Sequence, residues 1–380
     1  MWKIPLFDLD YDDRELKAVT EVIQSRWLTS GPKTREFENA FQKFLGDDVH
    51  AIAVANCTAA LHLALACLNL KKDDEVIISG LSFVAALNMV VVNNLKPILA
   101  DSKSFTDWNV SVEDIKNKIT PKTKAVIIVH FAGYPCDMDE ICQLCEEKKL
   151  ILIEDVAHAI GAEYKNQKCG TFGDIACFSF FSNKNLSVGE GGMIVTRHKK
   201  YYDDMKLLRS HGMSSMTVDR YEGRTISYDV IQPGFNYRLD EIRSALGIVQ
   251  LSKLIDCNKK RKMLVEYYIE NLKDCTEITV PWNTAPEYIE SSYHIFPVLL
   301  PKQMDRTKLV NHLKELGIQT SIHYPAYDQF SHYRKVFDKP LTIADEISER
   351  VLTLPLYPGL TKEDIDTVCN AIISYIEDSK

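Results

Sequence analysis

AVIIVHFAGYPCDMDEICQLCEEKKLILI, residues 125–153, contains a short apolar run, a helical pattern over roughly 138–148 and a second apolar run. Two such runs joined by a helical segment are typical of a βαβ unit, whose strands lie parallel. The same rhythm fills the first half of the chain, with helical periodicity over 58–70 and 84–93. The remaining predicted strands are 50–54, 75–78, 96–100 and 175–180. The sequence therefore predicts an α/β fold with a mostly parallel, buried sheet, whose ligands bind at the carboxyl ends of the strands.

The second part of the chain has a different pattern. After residue 240, long helical stretches replace the alternation, and strands are expected near 293–300 and 319–324. Thr361, with Asp364 three residues later, is the predicted N-cap of a final amphipathic helix. This mixture predicts a smaller α+β unit.

The length of 380 residues allows two domains with separate cores. We predict a large domain over 1–245 and a smaller C-terminal domain over 246–380. No low-complexity linker separates them, so we expect the two domains to pack closely.

Composition limits the classes of partner. A net charge of −8 argues against nucleic acid or an anionic membrane as the main partner. No run of about 18 apolar residues is present and the N-terminal stretch is acidic, so we expect a cytoplasmic protein without a membrane span. The ten cysteines are scattered, as core residues in a reducing compartment would be. Cys142 and Cys145 lack a second ligand pair, and no metal site is expected.

Lys184 lies in CFSFFSNKNLSVGEGG, residues 177–192, after a predicted core strand and before a glycine-rich turn. An amine held in a partly desolvated cleft is more readily neutral, and the neutral form is the one that makes an imine. The alternative is an ordinary surface lysine in a loop, and the local pattern alone leaves both readings open.

Asp155 comes at the end of the predicted strand in ILIEDVAHAIGA, residues 151–162. An aspartate there, placed against a pyridine nitrogen, would keep that nitrogen protonated and make the ring an electron sink. From local pattern alone, Asp155 could equally be a helix N-cap. His158, three residues later, could be a hydrogen-bonded packing residue.

A possible phosphate site precedes the helix in NCTAALHLAL, residues 56–65. Small residues at a helix N-terminus expose backbone N–H groups to an anion, and Thr58 adds a hydroxyl. Such a junction alone more often only caps the helix. Together with Asp155 and Lys184, however, it gives a phosphate cradle, a carboxylate and an imine-forming lysine on one predicted sheet edge.

Motifs across nearly the whole chain resemble the DegT/DnrJ/EryC1/StrS family of sugar aminotransferases. The resemblance implies a fold-type I, aspartate aminotransferase-like enzyme that depends on pyridoxal 5'-phosphate, with a large α/β/α domain, a mostly parallel sheet and a smaller C-terminal α+β domain. The motifs are WLTSGP at 27–32, TAAL at 58–61, 155–162, FSF at 178–180 with Lys184, GEGG at 189–192, GFNYR at 234–238, HYP at 323–325 and LPL at 354–356.

The resemblance also implies roles for individual residues, beginning with those that touch the cofactor. Lys184 would carry the cofactor as a Schiff base and shuttle a proton, Asp155 would pair with the pyridine nitrogen, and His158 would lie near the phenolic oxygen or the substrate. Phe83 would stack on the ring. The residues implied to hold the phosphate are Thr58, Ala59, Ser179 and, from the neighbouring subunit of a homodimer with shared active sites, Asn236. The residues implied for the sugar side are Trp27, Ser30, Gly31, His323 and Tyr324.

Two departures concern the shape of the implied site. Cys57 stands where many members of the family have glycine, and Phe181 where many have histidine.

The implied reaction moves an amino group from an amino acid, glutamate by resemblance, to a keto sugar linked to a nucleotide. Two alternatives are a sugar dehydratase and a non-catalytic regulator. Some dehydratases of the family have histidine in place of the imine lysine, so Lys184 favours amino transfer.

Overall fold

The structure, a computed structural model, describes residues 2–215, 223, 227–336 and 340–378. Helices and strands alternate at first, and longer helices with short strands follow. The helices are α1 (Asp13–Ser25), α2 (Pro32–Leu45), α3 (Cys57–Ala66), α4 (Ala85–Val92), α5 (Val112–Lys118), α6 (Met138–Lys148), α7 (Lys199–Leu208), α8 (Glu241–Leu272), α9 (Arg306–Glu315), α10 (Ala344–Arg350) and α11 (Lys362–Asp378). The strands are β1 (His50–Val54), β2 (Glu75–Ser79), β3 (Lys96–Ala100), β4 (Thr123–Val129), β5 (Ile151–Asp155), β6 (Glu163–Tyr164), β7 (Gln167–Lys168), β8 (Ile175–Ser179), β9 (Gly192–Thr196), β10 (Ile289–Glu290), β11 (Phe296–Leu299) and β12 (Val351–Leu354).

A seven-stranded sheet forms the centre of the large unit, in the order β1-β9-β8-β5-β4-β2-β3. Strand β9 runs antiparallel to both of its neighbours, and the other pairs are parallel. All six strands predicted for this half are present, and the prediction of a mostly parallel sheet is confirmed. The antiparallel β9 was not predicted.

Helices cover both faces of this sheet, which explains why its strands are apolar along their whole length. Ile52 and Val54 pack into one core with α3 and α4, whereas Ala51 and Ala53 pack into another with Phe37 of α2. This alternation follows from the opposite directions of successive side chains in a strand. The result is the predicted α/β/α arrangement.

Strand β3 lies at the edge of the sheet and contains Pro97. A proline has no N–H to donate, so it is tolerated at an edge and excluded from a central strand. The opposite edge is β1, whose neighbour in the sheet is β9. Because β1, β8 and β5 run in the same direction, their carboxyl ends meet at one edge of the sheet.

The smaller unit is built on the antiparallel pair β11–β12 and on α9 and α11. The strand expected near 319–324 is wrong: Ser321 forms a single antiparallel bridge with Thr353. Beyond that bridge the side chains of His323 and Tyr324 line a cavity and Pro325 follows, so the segment does not continue a ladder. The predicted cap of the last helix is confirmed, since Thr361 and Asp364 each accept a hydrogen bond from the other's N–H.

Helix α8 connects the two units. Its Leu254 belongs to the core beside β1 and β8, whereas Val265 and Tyr268 belong to the core of the smaller unit. The predicted boundary between residues 245 and 246 therefore lies inside this helix, close to its start. Near the N-terminus, Ile4 packs into the smaller unit's core.

Within the described ranges, no helix is both long and apolar enough to cross a membrane. The same ranges contain no cluster of three or more His, Cys, Asp or Glu side chains that could hold a metal ion. All ten cysteines are free thiols, and nine of them are buried.

Candidate active site

A cavity of about 440 Å³ opens at the carboxyl edge of the sheet, where β1, β5 and β8 end. Its volume lies in the range of sites for small ligands and cofactors. The predicted site residues that line it are Thr58, Phe83, Asp155, His158, Ser179, Lys184, His323 and Tyr324. The predicted site residues outside its lining are Ala59, Asn236, Trp27, Ser30 and Gly31.

Lys184 lies on the turn after β8, where its backbone N–H donates to the Phe181 carbonyl at 2.9 Å. Its Nζ points into the cavity and lies 3.3 Å from Nε2 of His294. Burial lowers the pKa of Lys184 to about 8, although the nearby Asp155 carboxylate favours the charged form. The amine is therefore far easier to deprotonate than an exposed lysine.

Asp155 is the last residue of β5, and its Oδ1 accepts a hydrogen bond from the Ala157 N–H at 3.0 Å. Burial raises the pKa of Asp155, while this hydrogen bond and the charge of Lys184 act in the opposite direction. The carboxyl group thus has a fixed orientation on the cavity wall and room to accept a further donor. Both interpretations of Asp155 from the sequence therefore apply in part: the carboxylate accepts an N–H of the following turn, and Asp155 lines the cavity.

His158 and Tyr324 form a hydrogen-bonded pair, with 2.7 Å between Nε2 and the hydroxyl oxygen. The Nδ1 atom of His158 accepts from the Ala132 N–H at 3.3 Å, so the proton of the neutral ring is on Nε2 and is donated to Tyr324. Burial, and then the charge of Lys184, hold the pKa of His158 well below its ordinary value. The Tyr324 hydroxyl accepts this bond, and its own proton is free to be donated to a ligand in the cavity.

The N-terminus of α3 forms one end of the cavity. The Asn56 side chain caps this helix by accepting the Ala59 N–H at 2.8 Å, so that amide already has a partner. Thr58 and Ser179 contribute hydroxyl groups to the lining. Gly192 of β9 packs behind this turn: a Cβ there would lie 2.8 Å from the Cys57 nitrogen. The glycine therefore allows the strand to support the start of α3 closely.

Phe83 and Tyr324 contribute aromatic rings to the lining of the cavity. Phe83 is 56% exposed, and its ring centroid lies 5.6 Å from that of Tyr324. A large apolar ring so exposed is available to stack on a planar ligand. His323 is held by Thr353, whose Oγ1 is 2.9 Å from Nδ1, and burial lowers its pKa to about 3.

The segment with Trp27, Ser30 and Gly31 lies outside the cavity lining, at the start of α2. Glu241 of α8 accepts hydrogen bonds from the N–H groups of Gly31, Lys33 and Thr34, each at 2.8 Å. The indole of Trp27 packs so closely that a Cβ on Gly31 would lie 2.3 Å from its Nε1. Within a single chain, this segment forms the start of α2 and is held by Glu241. Its predicted contact with the sugar stays a prediction.

Asn236 also lies away from the cavity of its own chain. It forms an antiparallel bridge with Ser210, beside the stacked rings of Phe235 and Tyr237. The predicted contact between Asn236 and a neighbouring subunit's phosphate stays a prediction.

Other residues reach the site without having been predicted. Asn183 and Glu190 line the cavity, and their proximity to Lys184 in the chain was the available signal. Phe181 and Cys57, the two departures from the family pattern, line it as well. His294 lies 110 positions from Lys184 and outside the motifs named above, so no local pattern in the sequence indicated its contact with the lysine.

The residues of the cavity fit the cofactor that the resemblance implies. Lys184 offers an amine of lowered pKa and Asp155 a buried carboxyl group for a ring nitrogen. Thr58, Ser179 and the start of α3 offer donors for a phosphate, and Phe83 an aromatic face. Each functional part of pyridoxal phosphate thus has a chemically matched group in one cavity.

Comparison with known proteins agrees with this chemistry. Residues 9–373 match the DegT/DnrJ/EryC1/StrS aminotransferase family. GDP-perosamine synthase of Escherichia coli O157:H7 is 34% identical, over 99% of this chain and 99% of that protein. The spore coat polysaccharide biosynthesis protein SpsC of Bacillus subtilis is 34% identical over 94% of this chain and 93% of that protein. The structure of Helicobacter pylori PseC, an aminotransferase involved in the biosynthesis of pseudoaminic acid, superimposes with a TM-score of 0.90 at 30% identity, covering 100% of this chain and 99% of that one.

Proposed function

The chain belongs to the DegT/DnrJ/EryC1/StrS aminotransferase family, and we propose that it transfers the amino group of L-glutamate to a keto sugar linked to a nucleotide. The products are 2-oxoglutarate and an amino sugar for the synthesis of a polysaccharide, glycan or antibiotic. Its cofactor is pyridoxal 5'-phosphate, as in the matched family. The observation that carries the proposal is the Lys184 amine, held at lowered pKa in the same cavity as Asp155.

Lys184 has two tasks in this reaction. Pyridoxal phosphate, when bound, supplies an aldehyde that condenses with amines and a ring that withdraws electrons from the adjacent carbon. The neutral Lys184 amine would hold it covalently. As an unattached amine, Lys184 would act as the base that takes the proton from the donor's α-carbon and as the acid that gives a proton back.

The other residues orient and stabilise. The Asp155 carboxylate would hold a proton on the ring nitrogen, and Phe83 would pack on the ring. His158 donates through Nε2, and Tyr324 holds its own hydroxyl proton toward the cavity. Thr58 and Ser179 would donate to the phosphate. His323, kept neutral by burial, and Tyr324 would face the sugar.

The experiment follows the two halves of the reaction separately. Glutamate alone should convert the pyridoxal absorption spectrum of the purified protein to that of the pyridoxamine form. A panel of nucleotide-linked keto sugars should then restore the first spectrum and give an amino sugar detected by mass spectrometry. Lys184→Ala is the matched control, and we expect it to lose at least 10²–10⁴-fold in rate. No spectral conversion with glutamate or any other amino donor would refute the proposal.

We propose, in addition, that the protein is a homodimer in which Asn236 reaches the phosphate of the other subunit's cofactor. Among the described residues that line the cavity, Lys184 is the only cationic side chain, while Asp155 and Glu190 are acidic. A phosphate and a nucleotide diphosphate need more donors than this lining supplies. The exposed apolar side chains of Tyr228, Val230 and Ile231, close in sequence to Asn236, support a covered surface in this region.

A mixing experiment tests the shared site. Lys184→Ala and Asn236→Ala proteins should each be nearly inactive, since each site needs one residue from each chain. When the two are unfolded, mixed and refolded together, about a quarter of wild-type activity should return, because mixed dimers contain one intact site. If both residues act within one chain, no activity will return.

We further propose that the protein works in the cytoplasm. Ten free cysteines and no disulfide among the described residues are typical of a reducing compartment. Thiol titration of denatured protein purified without reductant should find all ten thiols free. Stable native disulfides would argue against this location.

A further inference from the structure

His294 has no part in the function described so far, although it is the side chain that contacts the Lys184 amine. It is 3% exposed, and its backbone N–H donates to the Ala132 carbonyl at 3.0 Å. Its Nε2 lies 3.3 Å from Nζ of Lys184, and its Nδ1 lies 2.9 Å from Oδ1 of Asn185. Which ring nitrogen carries the proton decides what His294 can do for the lysine.

A chain of buried amides settles the tautomer. Asn258 uses its Nδ2 to donate to the Ile160 carbonyl at 3.0 Å, so its Oδ1 is an acceptor. Asn185 donates through Nδ2 to that Oδ1 at 2.8 Å and to the Ser292 carbonyl at 2.7 Å. Its own Oδ1 must therefore accept, and the only hydrogen available at that contact is on Nδ1 of His294. The two backbone carbonyls thus fix the orientation of both amide groups, and these in turn place the proton of the His294 ring on Nδ1.

Neutral His294 consequently presents an unprotonated Nε2 to Lys184. The lysine is the donor in this contact, whether it is an amine or an ammonium group. Burial, followed by the charge of Lys184, holds the pKa of His294 well below its ordinary value, so the ring stays an acceptor. The titratable groups that face this pair are Asp155, Cys57, His158, His323 and Arg261.

We infer that His294 is a positioning residue for the freed lysine: Nε2 accepts one N–H of Lys184 and leaves the nitrogen lone pair directed at the reacting carbon. The inference rests on the proposed transamination, in which Lys184 must be free during proton transfer. A lysine side chain has several rotatable bonds, and an unheld amine would sample many positions. Holding it near the reacting atom shortens the search, and a misplacement of about 1 Å can cost 10²-fold in rate.

Two substitutions at position 294 separate this role from a purely structural one. Asparagine can place an N–H where Nδ1–H lies, so His294→Asn keeps a donor for Asn185 and removes the acceptor for Lys184. Glutamine can place a carbonyl oxygen where Nε2 lies, so His294→Gln keeps the acceptor and loses the Asn185 contact. The two variants thus remove opposite halves of the network from the same site.

The first readout does not depend on turnover. In the apoprotein, the rate at which trace acetic anhydride labels Lys184 is measured against pH by peptide mass spectrometry, which gives the pKa of the amine. His294→Asn should lower that pKa by about 1 unit, because the ammonium form loses its acceptor. His294→Gln should restore it to within about 0.3 units of wild type.

The second readout is the single-turnover rate with glutamate in the holoprotein. We expect His294→Asn to slow it by about 10–100-fold and His294→Gln to recover most of that loss. The inference is overturned if Asn is tolerated and Gln is not, since His294 would then act through Asn185, or if both variants match wild type in both readouts. If wild type fails to react with any donor, the proposed function fails, while the acetylation pKa still decides whether His294 holds Lys184.

A measurement on the wild-type protein covers the case in which His294→Asn does not fold. In apoprotein labelled with 15N-histidine, one imidazole should keep its proton on Nδ1 between pH 5 and 9, by the hydrogen-bond assignment above. Its signal should be absent from the His294→Gln spectrum. A ring at position 294 protonated on Nε2 would contradict the inference.

Discussion

Burial determines the charge of the groups that meet in the cavity. It lowers the pKa of Lys184 to about 8 and the pKa of His323 to about 3, and it raises the pKa of Asp155. Charged forms are disfavoured wherever water is removed, and only specific partners reverse that preference. The site therefore holds a lysine that loses its proton readily beside histidines that stay neutral.

The pH dependence of cofactor capture follows from the lowered pKa of Lys184. Only the neutral amine attacks an aldehyde, and the fraction of neutral Lys184 rises with pH until the pKa is passed. The rate of absorbance change after apoprotein is mixed with pyridoxal phosphate should therefore increase up to about pH 8 and then level off. The rate for N-acetyl-lysine methylamide, measured in parallel, should keep rising until about pH 10.4, the ordinary pKa of a lysine amine. A protein profile that follows the free amine would contradict the lowered pKa.

A single loss of charge tests the role of Asp155. Asp155→Asn keeps an acceptor for the Ala157 N–H but removes the negative charge. We expect the half-reaction with glutamate to slow by about 10² or more, while borohydride still fixes the cofactor to the protein. Asp174→Asn is the matched control: Asp174 binds the Leu152 N–H at the opposite end of β5, so its rate should stay near wild type. Equal effects from the two variants would remove Asp155 from the mechanism.

Among the elements, α2 depends on a cap from a distant part of the chain. Gly31, at the N-cap position, has no side chain to cap the helix. Glu241 of α8 caps it instead, by accepting hydrogen bonds from three backbone N–H groups and from the Thr34 hydroxyl. A buried carboxylate at a helix N-terminus is also favoured by the helix dipole. This contact fixes the start of α2 against α8.

Removing this cap should destabilise the protein strongly. Glu241→Ala leaves several buried donors unpaired, and we expect a loss of about 3 kcal/mol in the free energy of unfolding. Glu36→Ala, which removes a carboxylate paired with Lys33 on the exposed face of α2, should change it by less than about 0.5 kcal/mol. Urea denaturation at one protein concentration measures both. Equal losses would mean that Glu241 contributes no more than a surface ion pair.

The elements also show what the sequence could reveal. Lys184 and Asp155 could be placed together because Asp155 ends one apolar strand and Lys184 follows another, and parallel strands end at a common edge. Strand β9 was not predicted, because its five residues follow directly on a glycine-rich turn. Nothing in that turn indicates that the chain reverses direction and pairs with β8. His294 and Glu241 act through contacts with residues more than one hundred positions away, and such contacts depend on packing that no local pattern contains.

At the scale of the whole molecule, α8 contributes side chains to the cores of both units. Gly247 lies against the Phe37 ring, and Leu254 completes the core behind β8. His323 and Tyr324, which line the cavity, also come from beyond residue 245. A cut at the predicted domain boundary would therefore remove part of a core and one wall of the site.

The fragment 1–245 tests that view. It should fail to capture pyridoxal phosphate and should unfold without a cooperative transition, because the exposed core surface has no partner. The full-length protein, prepared in the same way, is the control, and cofactor absorbance with urea denaturation measures both properties. Capture by the fragment at the affinity of the full chain would show that the large domain is independent.

The edge position of β1 has a consequence for the order of synthesis on the ribosome. Residues 50–54 emerge early, yet β9, the strand with which they pair, begins at Gly192, which is also the residue that supports the start of α3. A nascent chain released before that point presents an unpaired apolar strand, which is prone to associate with other chains. Premature termination ahead of Gly192 should therefore yield products that aggregate, whereas a growing chain that passes it can close the sheet.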